Sequence, residues 1–265
     1  MSSSPEIPSD VPTAARVYDV MLGGKDNFAV DRAVAEASLA IMPELRAIAV
    51  HNREMLHRVV AHLAAEEGIR QFLDLGSGLP TARNTHEVAQ EAAPDARVVY
   101  VDIDPIVLAH GRAILADNAG TRVVTADLRD PRAVLDHPDV RALIDFEQPV
   151  CVLLAGILHH LSDDEDPGGI VAALRDAVPS GSFFFITNFT RLGDAPESVE
   201  LERQLLAQLG TGRVRTPAEL AAFFDGLEIL APGLVPLPLW RPAATIIDAS
   251  TVDVRFMTGG VGRKP

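Results

Sequence analysis

From residue 70 onward, short apolar runs alternate with stretches that read as helices, and this rhythm constrains the fold more than any other feature of the chain. The runs are Gln71–Leu75, Arg97–Val101, Arg122–Ala126, Val150–Ala155 and Ser182–Asn188. Between them lie Thr81–Ala92, Pro105–Asp117, Pro131–Leu135 and Gly168–Ala177, all of helical character. Strands joined through helices run parallel with right-handed crossovers. Val150–Ala155 is apolar throughout, as befits a central strand covered on both faces. The pattern predicts an α/β fold built on a largely parallel sheet. Late runs at Leu227–Leu230 and Val252–Met257 add two more strands.

The remaining segments are arranged around this body. Residues 1–12 read as a disordered leader, and Thr13 to Gly68 reads as Ala-rich helix with Ile48, Met55, Leu56, Val59 and Leu63 at helical spacing. Leu22-Gly23-Gly24-Lys25-Asp26-Asn27-Phe28 interrupts it, and Pro43 starts or divides a further helix. Downstream, Pro196–Leu209 reads as a helix. Thr216-Pro217-Ala218-Glu219 is a capping box with Pro at the first helical position, and Leu234–Pro242 reads as an extended connection.

Composition narrows the function. With 37 acidic and 23 basic residues the net charge is −14, which disfavours nucleic acid as a partner. The single Cys excludes an internal disulfide framework and a Cys-based zinc site. Apolar runs such as Val150–Ile157 fall far short of the roughly 20 residues that span a bilayer. The first residues also lack the basic and apolar regions of a signal peptide. The expectation is a soluble cytoplasmic protein with no membrane partner.

The chemistry concentrates at three strand ends. Asp74-Leu75-Gly76-Ser77-Gly78 closes the first strand, where glycines let the backbone approach a ligand at the carboxyl edge of the sheet. Val101-Asp102 closes the second, and a carboxylate there can accept from both ribose hydroxyls of a nucleoside. Asp127-Leu128 follows the third, placed to accept from an adenine amino group. A nicotinamide oxidoreductase on a related fold fits less well. Its Gly-x-Gly-x-x-Gly would need glycine where Thr81 stands, and Asp74 would lie beside a pyrophosphate. An acid at 74 suits the ammonium of a methionine instead.

Three successive strands ending this way resemble the class I S-adenosylmethionine-dependent methyltransferases. The stretch Pro12–Arg32, with Tyr18-Asp19-Val20-Met21-Leu22-Gly23-Gly24-Lys25-Asp26-Asn27-Phe28 at its centre, resembles more narrowly a bacterial S-adenosyl methyltransferase family once known only as a domain of unknown function. Asn52-Arg53, Gly76-Ser77-Gly78-Leu79-Pro80-Thr81, Asp102-Ile103-Asp104-Pro105, Leu158-His159-His160 and the ending Gly259–Lys264 extend the likeness over nearly the whole chain from residue 12. Pro80, where other methyltransferases often carry a third glycine, matches this family's own form.

The resemblance implies a Rossmann-like fold with a seven-stranded, mostly parallel sheet, one late antiparallel strand and helices on both faces. One methyltransferase domain, 70–265, would sit beneath a helical cover, 13–69, with an insert near 190–225 walling the acceptor pocket. The implied cofactor is S-adenosylmethionine and the expected acceptor a small molecule. Asp74, Gly76, Ser77, Gly78, Asp102, Ile103, Asp104, Asp127, Leu128 and Ala155 are the candidate cofactor residues. Tyr18, Gly23 and Asn27, with Lys25 and Phe28, belong to a candidate lid that excludes water. His159 and His160 are candidate bases, because imidazole titrates near neutrality. A protein that binds S-adenosylmethionine without turnover would carry the same cofactor motifs.

Other features carry blander readings. His86-Glu87-Val88-Ala89-Gln90 is half of a zinc-protease helix, with Gln90 where a second His is needed. Asp163–Asp166 lacks the alternating ligand spacing of a calcium loop, and Cys151 reads as a buried small hydrophobe.

Overall fold

The computed structural model describes residues 9–81, 83–114, 118–191, 195–242 and 256–265. Of the leader only residues 9–12 fall within this set, and Val252–Arg255 of the last expected strand lie outside it.

Three helices come first: α1 (Ala14–Met21), α2 (Ala29–Ile41) and α3 (Leu45–Ala65). Pro43 sits in the α2–α3 turn. The sheet body follows with β1 (Gln71–Leu75), α4 (Thr85–Ala92), β2 (Arg97–Asp102), α5 (Pro105–Ile114), β3 (Thr121–Thr125), α6 (Pro131–Leu135), α7 (Pro138–Leu143), β4 (Cys151–Ala155), α8 (Pro167–Ala177) and β5 (Phe183–Phe189). The chain ends with α9 (Pro196–Leu209), α10 (Pro217–Ala222), β6 (Glu228–Ile229), β7 (Val235–Pro236) and β8 (Met257–Arg263).

The strands form one eight-stranded sheet in the order β3-β2-β1-β4-β5-β8-β6, with β7 also paired to β8. The first five run parallel, and β8 runs antiparallel to β5. The eighth strand arises because the late region contributes two short strands, β6 and β7, both along β8. Leu234–Pro242 accordingly holds β7 and a 3-10 turn at Leu237–Leu239, because Leu237 and Trp240 must bury their side chains.

Strand side chains alternate between two cores, as the period of two requires. Phe72, Val98, Tyr100, Cys151, Leu153, Phe183 and Phe185 pack on one side with α1–α3, α4 and α9. Leu73, Leu75, Val99, Val101, Val152, Leu154, Phe184 and Ile186 pack on the other with α6–α8 and α10. Both faces are apolar, so the central strands read as continuous hydrophobic runs. Burying residues such as Leu56, Val59 and Leu63 of α3 contributes about 1.5–3 kcal/mol each and holds the N-terminal helices against the sheet.

Two local signals behave differently from expectation. The helix after β1 starts at Thr85 rather than Thr81. Pro80 directs the chain into a turn in which the Thr81 N–H donates to the Asn84 side chain, and the Asn84 N–H donates to Glu87 at 2.6 Å. An additional helix, α7, starts at Pro138, with the His137 ring accepting from the Asp139 N–H. At Thr216 the capping box forms as read, its N–H donating to Glu219 at 2.7 Å.

Candidate active site

The carboxyl ends of the parallel strands open into a cavity of about 680 Å³ between the sheet, α1, α3 and α9. Its location follows from topology, since β1 and β4 are neighbours whose crossovers diverge to opposite sides.

The floor is the turn after β1. Gly76 has φ +68°, and a Cβ there would lie 2.4 Å from the Ile157 side chain, so only glycine fits. Gly78 has φ +67° and faces open space. The Asp102 carboxylate braces this turn, accepting the Gly78 N–H on one oxygen and the Asp104 N–H on the other, both at 2.9 Å. Burial raises its pKa against the pull of these bonds.

Asp74 is buried beside this turn and accepts from the Thr85 hydroxyl at 2.8 Å. Desolvation pushes its pKa up to about 6, with the Thr85 bond and the Arg53 charge opposing the shift. Asp104 caps α5 by accepting the Ile106 N–H at 3.0 Å, while its second oxygen is buried without a partner. Ser77, Leu128 and Ala155 line the wall, and Ile103 holds a large apolar side chain exposed at its edge. Asp127 also lines the cavity, clasped by Arg129, whose Nε lies 2.9 Å from both carboxylate oxygens. That hydrogen bonding holds Asp127 below the usual carboxylate range. Arg129 bridges onward to Glu165 at 3.1 Å.

The opposite half is apolar. Val17, Met21, Leu45, Ile48, Phe189, Leu201, Leu205, Leu209 and Met257 line it. Its polar points are few. The Tyr18 hydroxyl donates to the Ala49 carbonyl at 3.0 Å and accepts from Asn52. Asn52 in turn accepts from Thr187 at 2.8 Å.

His159 and His160 stand between the halves. Burial holds both neutral, far below the ordinary value for His159 and down to about 4 for His160. The His159 ring leans on His160 and Phe189, and its Nδ1 has no partner. His160 meets the Thr211 hydroxyl at 2.9 Å. Among the described residues no carboxylate pairs with either ring, so nothing raises their basicity.

The structure therefore brings most of the sequence candidates to one cavity and leaves two outside. Gly23 and Asn27 do not line it. The Asp19 carboxylate accepts the Asp26 N–H at 3.0 Å and the Asn27 side-chain amide at 2.8 Å, which folds the loop onto its own helix. Asp26 lies 3.4 Å from His110 of α5, and Phe28 packs near Leu79, Ile106 and Val107. This loop contacts α5 and ties the N-terminal helices to it, and Lys25 is exposed on it. The cavity-facing part of the segment is Tyr18 on α1. Two further residues line the cavity: Arg53, whose only sequence signal is the Asn52-Arg53 pair within the resemblance, and Arg129, two residues beyond Asp127.

The model of a family described as S-adenosyl methyltransferase matches residues 1–265. The chain belongs to this family. It is an S-adenosylmethionine-dependent methyltransferase of the class I fold. A solved structure from Thermobifida fusca, assigned as a methyltransferase, is 49% identical with a TM-score of 0.93, covering 99% of each chain. A protein of Streptomyces avermitilis from a family named as a domain of unknown function is 40% identical, with a TM-score of 0.92, covering 98% of this chain and 100% of that one. The likeness to human N-acetylserotonin methyltransferase, solved with S-adenosylmethionine, is one of fold alone: 13% identity and a TM-score of 0.52, over 93% of this chain and 62% of that one. No curated relative matches the chain.

Proposed function

We propose that this methyltransferase acts on a small, largely apolar, uncharged acceptor, with the cofactor in the acidic half of the cavity and the acceptor in the half lined by α1, α3 and α9. The observation that carries this reading is the division of the cavity. Carboxylates cluster at the ends of β1–β3, and the far half offers hydrocarbon, a few neutral polar groups and Arg16, whose charge Asp31 already neutralises. An ionised acceptor would lose its hydration there without gaining a counter-charge.

The residues present fit a cationic nucleoside. Asp102 has a free lone pair on each oxygen for the two ribose hydroxyls, and the unpartnered oxygen of Asp104 is beside it. Ile103 offers an apolar surface for a base, with Asp127 and Leu128 at the edge. Asp74 offers its carboxylate to an ammonium, which would also remove the cost of its isolation. Gly76 and Gly78 leave the room these contacts need. S-adenosylmethionine supplies an electrophilic methyl group on a sulfonium when bound.

The protein's own contribution is alignment and exclusion of water. The helices α1–α3, residues 14–65, act as the cover of the 70–265 domain, with α9 as the second wall. His159 and His160 serve as neutral hydrogen-bonding groups toward the acceptor, because a conjugate acid with a pKa of about 4 is a poor store for an abstracted proton. The accepting atom is then one that is nucleophilic while uncharged at neutral pH, such as the nitrogen of an aromatic amine or of a nitrogen heterocycle. The net charge of −14 supports a partner other than nucleic acid. No helix among the described residues is long and apolar enough to cross a membrane. We place the protein in the cytoplasm.

Transfer of an isotopically labelled methyl group to a panel of neutral aromatic, aliphatic, anionic and nucleic-acid acceptors tests this reading. Label in the neutral apolar members is the expected result. Label confined to anionic or nucleic-acid acceptors would contradict it.

A further inference from the structure

Two opposite charges face the buried end of the cavity without pairing with each other. Asp74 comes from β1, and Arg53 comes from α3. Three arginines line the cavity: Arg16, Arg53 and Arg129. Arg16 is committed to Asp31 at 3.0 Å, and Arg129 to Asp127 and Glu165. Arg53 has no carboxylate partner among the described residues. It donates to the Thr81 hydroxyl at 2.7 Å and at 3.4 Å to the Arg83 carbonyl, and its Nε is buried without an acceptor. The Ser77 hydroxyl, on the glycine turn, is also buried without a partner. Both residues line the main cavity and a recess of about 20 Å³ behind the turn.

A buried guanidinium nitrogen and a buried hydroxyl left unpaired together are costly in an apo protein. They mark a place for an acceptor group. The α-carbon of a methionine end carries its ammonium and its carboxylate on adjacent bonds, so a receptor for one fixes where the other must lie. The planar fork of arginine matches a carboxylate in geometry and charge.

We propose that Arg53 and Ser77 receive the α-carboxylate of the cofactor while Asp74 receives its α-ammonium, so that the site selects for an intact amino-acid end. This rests on the cofactor placement given above. The consequence is discrimination against decarboxylated S-adenosylmethionine, which keeps the nucleoside, the sulfonium and the amine and lacks only the carboxylate.

Calorimetric titration of the full-length protein with the two compounds tests the assignment. The wild type should prefer S-adenosylmethionine by about ten- to a hundredfold, the scale of a charge-assisted, forked contact. Arg53→Gln should reduce that preference toward unity by weakening only the intact cofactor. Asp74→Asn should weaken both compounds alike and preserve the preference. A folded Arg53→Gln protein that keeps the wild-type preference would overturn the proposal, as would a wild type without one. Should Arg53→Gln fail to fold by thermal melting, Arg53→Lys keeps the charge without the fork. An intermediate preference is expected from it, and an unchanged one counts against the role of Arg53. If neither S-adenosylmethionine nor S-adenosylhomocysteine bound the wild type, the cofactor placement itself would fail, a result distinct from loss of discrimination.

Discussion

One end of the cavity and the other solve different physical problems. At the strand ends, Asp74, Asp102, Asp104 and Asp127 stand in a partly desolvated wall, two of them with raised pKa values. Between α1, α3 and α9, side chains such as Leu201 and Leu205 form a mainly apolar surface, on which Arg16 is already neutralised by Asp31. The first end stores electrostatic cost that a cationic ligand relieves. The second stores nothing of the kind and binds by excluding water. A methyl donor that is charged and an acceptor that is neutral would each find the half that suits it.

The largest expected effect tests the apolar half. Leu201 is fully buried on α9, and Leu201→Ala should cost about 2–4 kcal/mol of folding stability. Cofactor affinity should stay within about twofold, because the change lies in the other half. Denaturation and calorimetry on one sample check both. A large loss of cofactor affinity would show that the halves are one site.

Asp102→Ala tests the acidic half. It should weaken cofactor binding by about 1–3 kcal/mol, the value of hydrogen bonds to a charged group. Unchanged affinity in a folded variant would sink the ribose assignment.

A smaller, graded effect comes from pH. Asp74 has a folded-state pKa raised to about 6, so its contribution to apo stability is present at low pH and lost as pH rises through about 6. Binding an ammonium requires the ionised form. Cofactor affinity should therefore fall below pH 6 with a limiting slope of about tenfold per pH unit. Asp74→Asn should flatten this profile and stabilise the apo protein at pH 7 by roughly 1–3 kcal/mol while weakening cofactor binding. A parallel pH profile in the variant would remove Asp74 from the account.

The smallest effect is expected at the boundary. His159→Gln and His160→Gln should leave cofactor affinity within about twofold, whatever they do to turnover. The turnover of the wild type should show no titration near pH 6–7 that these variants abolish, since both rings are held neutral.

How far the sequence reaches follows the same division. The acidic half is local: Asp74, Asp102 and Asp127 each end a strand whose period and composition are legible, so their meeting follows from parallel pairing. The apolar half is assembled from α1, α3 and α9, which are distant in sequence, and ordinary Leu, Ile and Val residues do not announce which of their faces lines a cavity. Gly23-Gly24 and Asn27 invited a lid because glycines and polar residues are punctuation in any helix-rich segment. Their actual fastening, to Asp19, depends on side-chain hydrogen bonds that no periodicity encodes. Arg53 escaped for a related reason. It lies on a helix among other charged residues, and only the packing of α3 against the glycine turn singles it out.

The most direct measurement is a crystal structure of the protein with S-adenosylhomocysteine bound. The expected result is the ribose on Asp102, the base beside Ile103 and Leu128, the amino-acid end between Asp74 and Arg53, and the sulfur directed toward His159 with the α9-lined half left free. A nucleoside lying instead among Leu201, Leu205 and Met257, with Asp102 uncontacted, would contradict it.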